Sequence, residues 1–256
     1  MMDRSMSFRG HLNELRKRLT ISVGAVVVTT IISFVFYRRI IDFLLRPADA
    51  ITEVPGRLVF IEVTEMFGVI MKVSLVTGLV LAFPIILYQM VLFVAPGLTP
   101  REKRYLYGFL PGVLLSFAAG AAFGYYVLIP PAINFLINFG GDIAEPTIRI
   151  GNYINLVVML LFWMGVVFET PAVMFLLAKL RIVSPQGFSK WRRHWVVVAF
   201  VLGAIITPTF DPINQTLVAG PLIVLYEVGI WLSKLAVRGQ DRAPSPVPQA
   251  PGSPGS

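Results

Sequence analysis

Phe93-Val-Ala-Pro-Gly-Leu-Thr-Pro-Arg-Glu-Lys-Arg104 closes one apolar run and opens another. The run Val69–Ala95 stops at Pro96-Gly97, and the run Tyr105–Ile129 begins directly after Arg104. The residues between them are too few to do more than reverse the chain. They carry three cations, Arg101, Lys103 and Arg104, against a single carboxylate, Glu102. Each flanking run is long enough for a helix to cross the hydrocarbon of a bilayer, which takes roughly 20 residues. Two membrane-length helices joined by a charged turn is the arrangement this stretch imposes.

Extending that reading along the chain predicts an all-α integral membrane protein with six transmembrane helices, at about 20–36, 69–95, 105–129, 153–180, 195–206 and 216–232. The composition agrees: 56% of the 256 residues are hydrophobic and 14% charged, against about 25% charged in soluble domains. Residues 1–19 are too polar to span, and no small-residue cleavage site follows the first apolar run, so that run reads as an anchor and not as a removed signal peptide. There is no cysteine and there are only two histidines, His11 and His194, which argues against a bound metal or other cofactor. No phosphate-binding loop, His-Glu-x-x-His or Gly-x-Ser-x-Gly motif is present, so an enzyme is not expected. The net charge of +8 would suggest nucleic acid in a soluble protein; here its distribution carries the meaning.

That distribution is one-sided. Arg4, Arg9, Arg16, Lys17 and Arg18 precede helix 1, and Arg101, Lys103 and Arg104 lie between helices 2 and 3. Lys179, Arg181, Lys190, Arg192 and Arg193 lie between helices 4 and 5, and Lys234, Arg238 and Arg242 follow the last helix. The opposite side has Arg38, Arg39, Arg46, Arg57 and Arg149, with Lys72 inside helix 2. Positively charged loops stay in the cytoplasm, so both termini are expected there.

The long 1–2 connection, 37–67, carries five acids against four cations and enough apolar residues to fold back on the bilayer surface. The Pro/Gly/Ser/Gln-rich stretch 239–256 reads as a disordered tail to a single domain spanning 1–238. Helix 5 offers only about 12–14 strongly apolar residues, about 20 Å of helix at 1.5 Å each. The membrane is expected to thin beside helices 5 and 6.

Three carboxylates stand out. Glu14, in His11-Leu-Asn-Glu-Leu-Arg-Lys-Arg-Leu19, precedes Arg18 by four residues, the favourable order for a pair on a helix face. Glu102 belongs to Thr99-Pro-Arg-Glu102, a capping box with Pro100 at the first helical position. Each pattern is a sufficient structural explanation. Yet both acids are also lone acids among cations on one face of the membrane, where a guanidinium ligand could meet them bidentately. Glu169 lies near the middle of helix 4, in Phe168-Glu-Thr-Pro171. An ionisable group at that depth costs about 2.5–3.5 kcal/mol on insertion scales and by default marks function. Pro171 should bend the helix there, and Pro84, Pro111 and Pro221 suggest a curved, concave bundle. Gly120 and Gly124 read as close packing within the chain.

Taken together these motifs resemble the TatC family, the core membrane subunit of the twin-arginine protein translocase. His11–Leu19 resembles its N-terminal signature. Lys72-Val-Ser, Phe83–Gln89 and Phe93–Leu98 with Arg101–Arg104 resemble its second helix and first cytoplasmic loop. Phe168–Pro171 and Thr207–Gln215 resemble its helix 4 glutamate motif and the loop before helix 6. The resemblance runs in order from about Ser7 to Arg238; Asn214 stands where serine or threonine is usual. It implies that Glu14 and Glu102, with Arg16, Arg18, Phe93, Lys103 and Arg104, receive the two arginines of a signal peptide on a folded cargo protein. It implies an intramembrane role for Glu169, and docking of the single-span partners TatA and TatB through Thr207, Pro208, Asp211 and Gln215. Self-association in a larger complex of the cytoplasmic (inner) membrane and transport driven by the proton-motive force are implied too, with no nucleic acid involved. The alternative is a proton-coupled small-solute transporter centred on Glu169; the lack of internal repeats argues against it.

Overall fold

The computed structural model describes residues 8–49, 58–95, 99–138, 147–207 and 212–238, and within these the regular structure is helical apart from one isolated bridge. The elements are α1 (Phe8–Val35), α2 (Tyr37–Asp49), α3 (Glu65–Val94) and α4 (Pro100–Phe123). A π-helical turn (Gly124–Leu128) leads into α5 (Ile129–Asn138), followed by α6 (Ile150–Phe168), α7 (Thr170–Lys179), α8 (Pro185–Ile206) and α9 (Pro212–Arg238). Five stretches are long and apolar enough to cross a membrane: α1, α3, α4 through α5, α6 through α7, and α9. The sixth helix is α8, whose first half carries Lys190, Arg192 and Arg193.

The helices are longer than their apolar cores. The basic amphipathic segment around Glu14 and the first span form one continuous helix, α1, and α8 begins ten residues before the apolar run that announced it. Ser184 caps α8 by accepting from the Gly187 amide at 3.2 Å, with Pro185 at the first helical position. The third span continues beyond Ile129 because the π turn absorbs Pro130 and Pro131: the Ile129 amide reaches back five residues to Gly124, and the prolines then occupy the first turn of α5, where an N–H is not needed. The fourth span breaks at Glu169. Pro171 has no N–H to give the fourth carbonyl back, so α6 ends at Phe168 and α7 restarts one residue later.

The core centres on α6, where Ile154, Val157 and Met164 are fully buried. Helices α3 and α4 flank it, and α2, the π-helical turn, α8 and α9 also touch it. Helix α2 is the fold-back expected of the 1–2 connection. Ile41 and Leu44 are buried beneath it, and the hydroxyls of Tyr125 and Tyr153 donate to the Phe43 and Leu44 carbonyls, both at 2.8 Å. At the same end, Val59 and Arg149 form a short parallel bridge, and Arg149 donates to Glu65 at 2.9 Å and to Glu62 at 3.1 Å. Those two carboxylates, Glu65 foremost, raise the pKa of the Arg149 guanidinium above its usual value. Lys72, inside α3, donates to Asn155 of α6 at 2.7 Å.

Helix α1 sits at the periphery, packed almost wholly on α3. The contact is close because Gly78 lets the backbone of Thr30 approach, and Thr29 donates to the Gly78 carbonyl at 2.7 Å. Gly120 and Gly124 do the same for α4 against α6: a side chain at Gly120 would run into the Met164 carbonyl and the Phe168 ring. The Gly-x-x-x-Gly spacing is therefore filled from within the chain.

Replacing Gly120 by leucine should wedge α4 from α6 and cost about 1–3 kcal/mol, the usual penalty of overpacking. Gly108→Ala, where nothing lies within 4 Å, should be neutral or stabilising by up to about 1 kcal/mol. Thermal unfolding of the two variants in detergent separates them; equal midpoints would mean that α4 and α6 do not approach at Gly120.

Candidate functional site

Helices α1 and α3 are antiparallel, so the N-terminal turns of α1 lie beside the C-terminal turns of α3. Two side-chain contacts join them, to Gln89 and Phe93, and a third, to Glu14, lies within α1. The Arg18 guanidinium donates through Nη2 to Glu14 Oε1 at 3.1 Å and through Nη1 to Gln89 Oε1 at 3.2 Å. The His11 ring stacks on Phe93, with centroids 4.5 Å apart. Glu14 and Arg18 are only half-exposed, with side-chain exposures of 21% and 22%, while Gln89 is buried at 8%. Glu14 thus pairs with Arg18 as its spacing predicts, but the pair is wedged against a second helix and is not left free on a solvated face.

Among the other residues singled out in the sequence, Arg16 and Arg104 are exposed and Lys103 is half-buried. Glu102 lies in the first turn of α4, with Pro100 at the first helical position and the Lys103 amide bonded to the Thr99 carbonyl at 3.0 Å. The Glu102 side chain, and with it the far half of the capping box, lies outside the described residues. The chain therefore brings Glu14, Arg18 and Phe93 to one end of the bundle, with the α4 start beside them. Gln89 and His11 complete the cluster. Neither stands out by periodicity, because a glutamine late in an apolar run looks like any helix-end polar residue.

Glu169 is a second centre. It is 9% exposed, and neither carboxyl oxygen has a hydrogen-bond partner among the described residues. It opens onto a groove of about 700 Å³ between α7, α8 and α9, lined by Val173, Met174, Phe188, Trp195 and Tyr226. The groove is aromatic on one side: Trp195 stacks on Tyr226 at 4.6 Å, Tyr226 donates to the Phe188 carbonyl at 2.9 Å, and Trp195 donates to the Leu222 carbonyl at 3.2 Å. These bonds fix the wall and leave Glu169 as the one carboxyl among the residues lining the cavity.

At the other end of α8, Thr207 is buried and donates to the Gly203 carbonyl at 2.8 Å, closing the helix. Gln215 of α9 donates to the Phe200 carbonyl at 2.8 Å across the α8–α9 contact. Pro208 and Asp211, singled out with them, lie outside the described residues.

The comparisons agree with this architecture. The model of the family "Sec-independent protein translocase protein (TatC)" matches residues 10–221. The TatC protein of Carboxydothermus hydrogenoformans is 42% identical over 234 residues, covering 91% of this chain and 95% of that one. The Aquifex aeolicus TatC protein is 38% identical over 236 residues, covering 91% and 97%. The chloroplastic TATC protein of Arabidopsis thaliana is 40% identical over 92% of this chain and 68% of its own. A crystal structure described as the twin arginine translocase receptor TatC superposes with a TM-score of 0.81 at 37% identity, covering 89% of this chain and all of that one. Six helices, a Glu-Leu-Arg-Lys-Arg signature docked on the end of the second, and a glutamate at the break of the fourth converge on one conclusion: the chain belongs to the TatC family of Sec-independent protein translocase proteins.

Proposed function

We propose that this chain is the receptor and core subunit of a twin-arginine translocase in the cell's inner membrane. Glu14 and Glu102, at the cytoplasmic end of the bundle, receive the two arginines of a signal peptide. Arg16, Arg18, Phe93, Lys103 and Arg104 shape that surface. The apolar part of the signal lies along the groove beside Glu169, and TatA and TatB assemble at the α8–α9 end around Thr207, Pro208, Asp211 and Gln215, with further copies of the chain. The proton-motive force drives the export of folded cargo. The observation that carries this reading is that Glu14, half-buried between α1 and α3, already holds a guanidinium, that of Arg18, at 3.1 Å. A carboxylate positioned for one guanidinium has the chemistry to take another. A solute transporter centred on Glu169 gains nothing from the family to which the chain belongs.

Binding of an Arg-Arg signal peptide to the detergent-purified protein, with a Lys-Lys peptide as control, checks the receptor reading. Glu14→Ala and Glu102→Ala should each weaken Arg-Arg binding by about 1.5–3 kcal/mol, the worth of a charge-assisted bond. Indifference to both substitutions would return the two acids to ion pairing and helix capping.

Orientation is open to a labelling test that the cysteine-free sequence makes clean. Cysteine at exposed Asn13 should react with a membrane-impermeant maleimide only after cells are opened, and cysteine at Val63, 96% exposed, should react in intact spheroplasts. The reverse pattern would invert the proposed topology.

Glu169→Leu should raise the unfolding midpoint in detergent, because an unpaired buried carboxyl costs about 1–3 kcal/mol. The same variant should abolish export of a folded reporter. A variant that is neither more stable nor impaired would deprive Glu169 of a role.

A further inference from the structure

The Glu14–Arg18 pair is more than a helix-face contact. Arg18 splits its grip, one terminal nitrogen on Glu14 and the other on Gln89. The Glu14 contact, at 3.1 Å, is longer than the about 2.7–2.9 Å to which a charged donor typically closes on a carboxylate. The third nitrogen, Nε, is buried and has no partner among the described residues. A guanidinium offers five donors in a rigid fork, and this site satisfies it poorly, with neither the two-point pairing to Glu14 nor a filled set of bonds. Glu14 uses only Oε1 in the pair, so an incoming guanidinium can reach both oxygens in the bidentate manner only if Arg18 yields. Gln89 gives it a place to yield to, since its carbonyl already takes Nη1.

We infer that Arg18 is a resident competitor for Glu14: it occupies the carboxylate in the empty protein and is displaced onto Gln89 when a guanidinium ligand arrives. The inference rests on the receptor reading of Glu14 and assigns Arg18 the opposite sign to the other site residues. Where Glu14 and Glu102 add to affinity, Arg18 subtracts from it. A ligand must then bring more than a positive charge, because a resident fork is not displaced well by an ammonium, a point charge without two-point geometry. Keeping Arg18 in place also spares the empty protein a half-buried carboxylate without a counter-charge.

The test is the affinity of the purified, full-length protein for an Arg-Arg signal peptide, with Lys-Lys as control, in wild type and in Arg18→Gln. The glutamine variant should bind the Arg-Arg peptide more tightly, by about three- to tenfold, the range expected for removing a partly shielded ion pair. A merely structural role for Arg18 would loosen the α1–α3 contact and weaken binding, so an unchanged or raised Kd overturns the inference. Nitrogen-15 NMR of the Arg18 guanidinium in the wild-type protein, assigned by comparison with Arg18→Lys, needs no altered site during the titration. Its Nη signals should shift as the Arg-Arg peptide saturates, and signals that stay in place at saturation overturn displacement. A wild-type protein that does not prefer Arg-Arg over Lys-Lys removes the receptor reading itself and this inference with it, an outcome distinct from intact preference without tightening.

Discussion

The constraint on which the structure depends is that a backbone N–H or C=O in the hydrocarbon must be satisfied by the protein itself. Helices do this residue by residue, and the polar side chains inside this bundle follow the same logic. Ser33, Ser74 and Thr207 donate to carbonyls four residues back, and Ser233 to one three back. Lys72 finds Asn155. Interruptions of the helices are consequently few and traceable. The π turn before Pro130 lets the chain pass two residues without N–H groups, and the break before Pro171 does the same with one proline and a shorter repair.

Against this background, unsatisfied groups separate into by-products and signals. The buried Thr30 hydroxyl, without a partner among the described residues, lies where α1 meets Gly78, and the cost of one idle hydroxyl is set against a close helix contact. Arg149 has an Nε idle among the described residues, but its Nη2 holds both Glu62 and Glu65. Glu169 differs in kind. Its whole head group is unpaired, at a helix break, on the wall of a groove large enough for the side chains of another helix. Packing gains nothing from a carboxyl there, since leucine would fill the same space without the desolvation cost. A group that stability would discard is best explained by what it does.

Much of this was legible in the sequence, for identifiable reasons. Apolar runs and the proline after Glu169 are local signals, so the spans and the break at Glu169 could be read directly. The ends of α1 and α8 could not. Both helices continue through charged residues, and hydropathy reports where a helix meets lipid, not where its hydrogen bonds stop. The Glu14–Arg18 pair was readable from its i,i+4 spacing. Gln89 was not, because its meaning depends on α1 and α3 lying antiparallel with Gly78 setting their distance, a fact spread over 71 residues of separation. The Glu62–Glu65–Arg149 cluster was hidden for the same reason: its members lie more than 80 residues apart and meet only once the 1–2 connection has folded onto the start of α6.

The pairing of Glu14 also changes how the two explanations of that residue relate. A helix-face ion pair and a ligand site look like rivals when only spacing is known. On the receptor reading they are successive states of one carboxylate. On that reading the site has to keep its acid charged and stable while empty, and a half-buried carboxylate without a counter-ion is costly. A neighbouring guanidinium solves that problem only if its hold is weak enough to break. The divided contacts of Arg18, long on Glu14, meet that condition. On the receptor reading, the pair that stabilises the empty helix sets the threshold a signal must exceed.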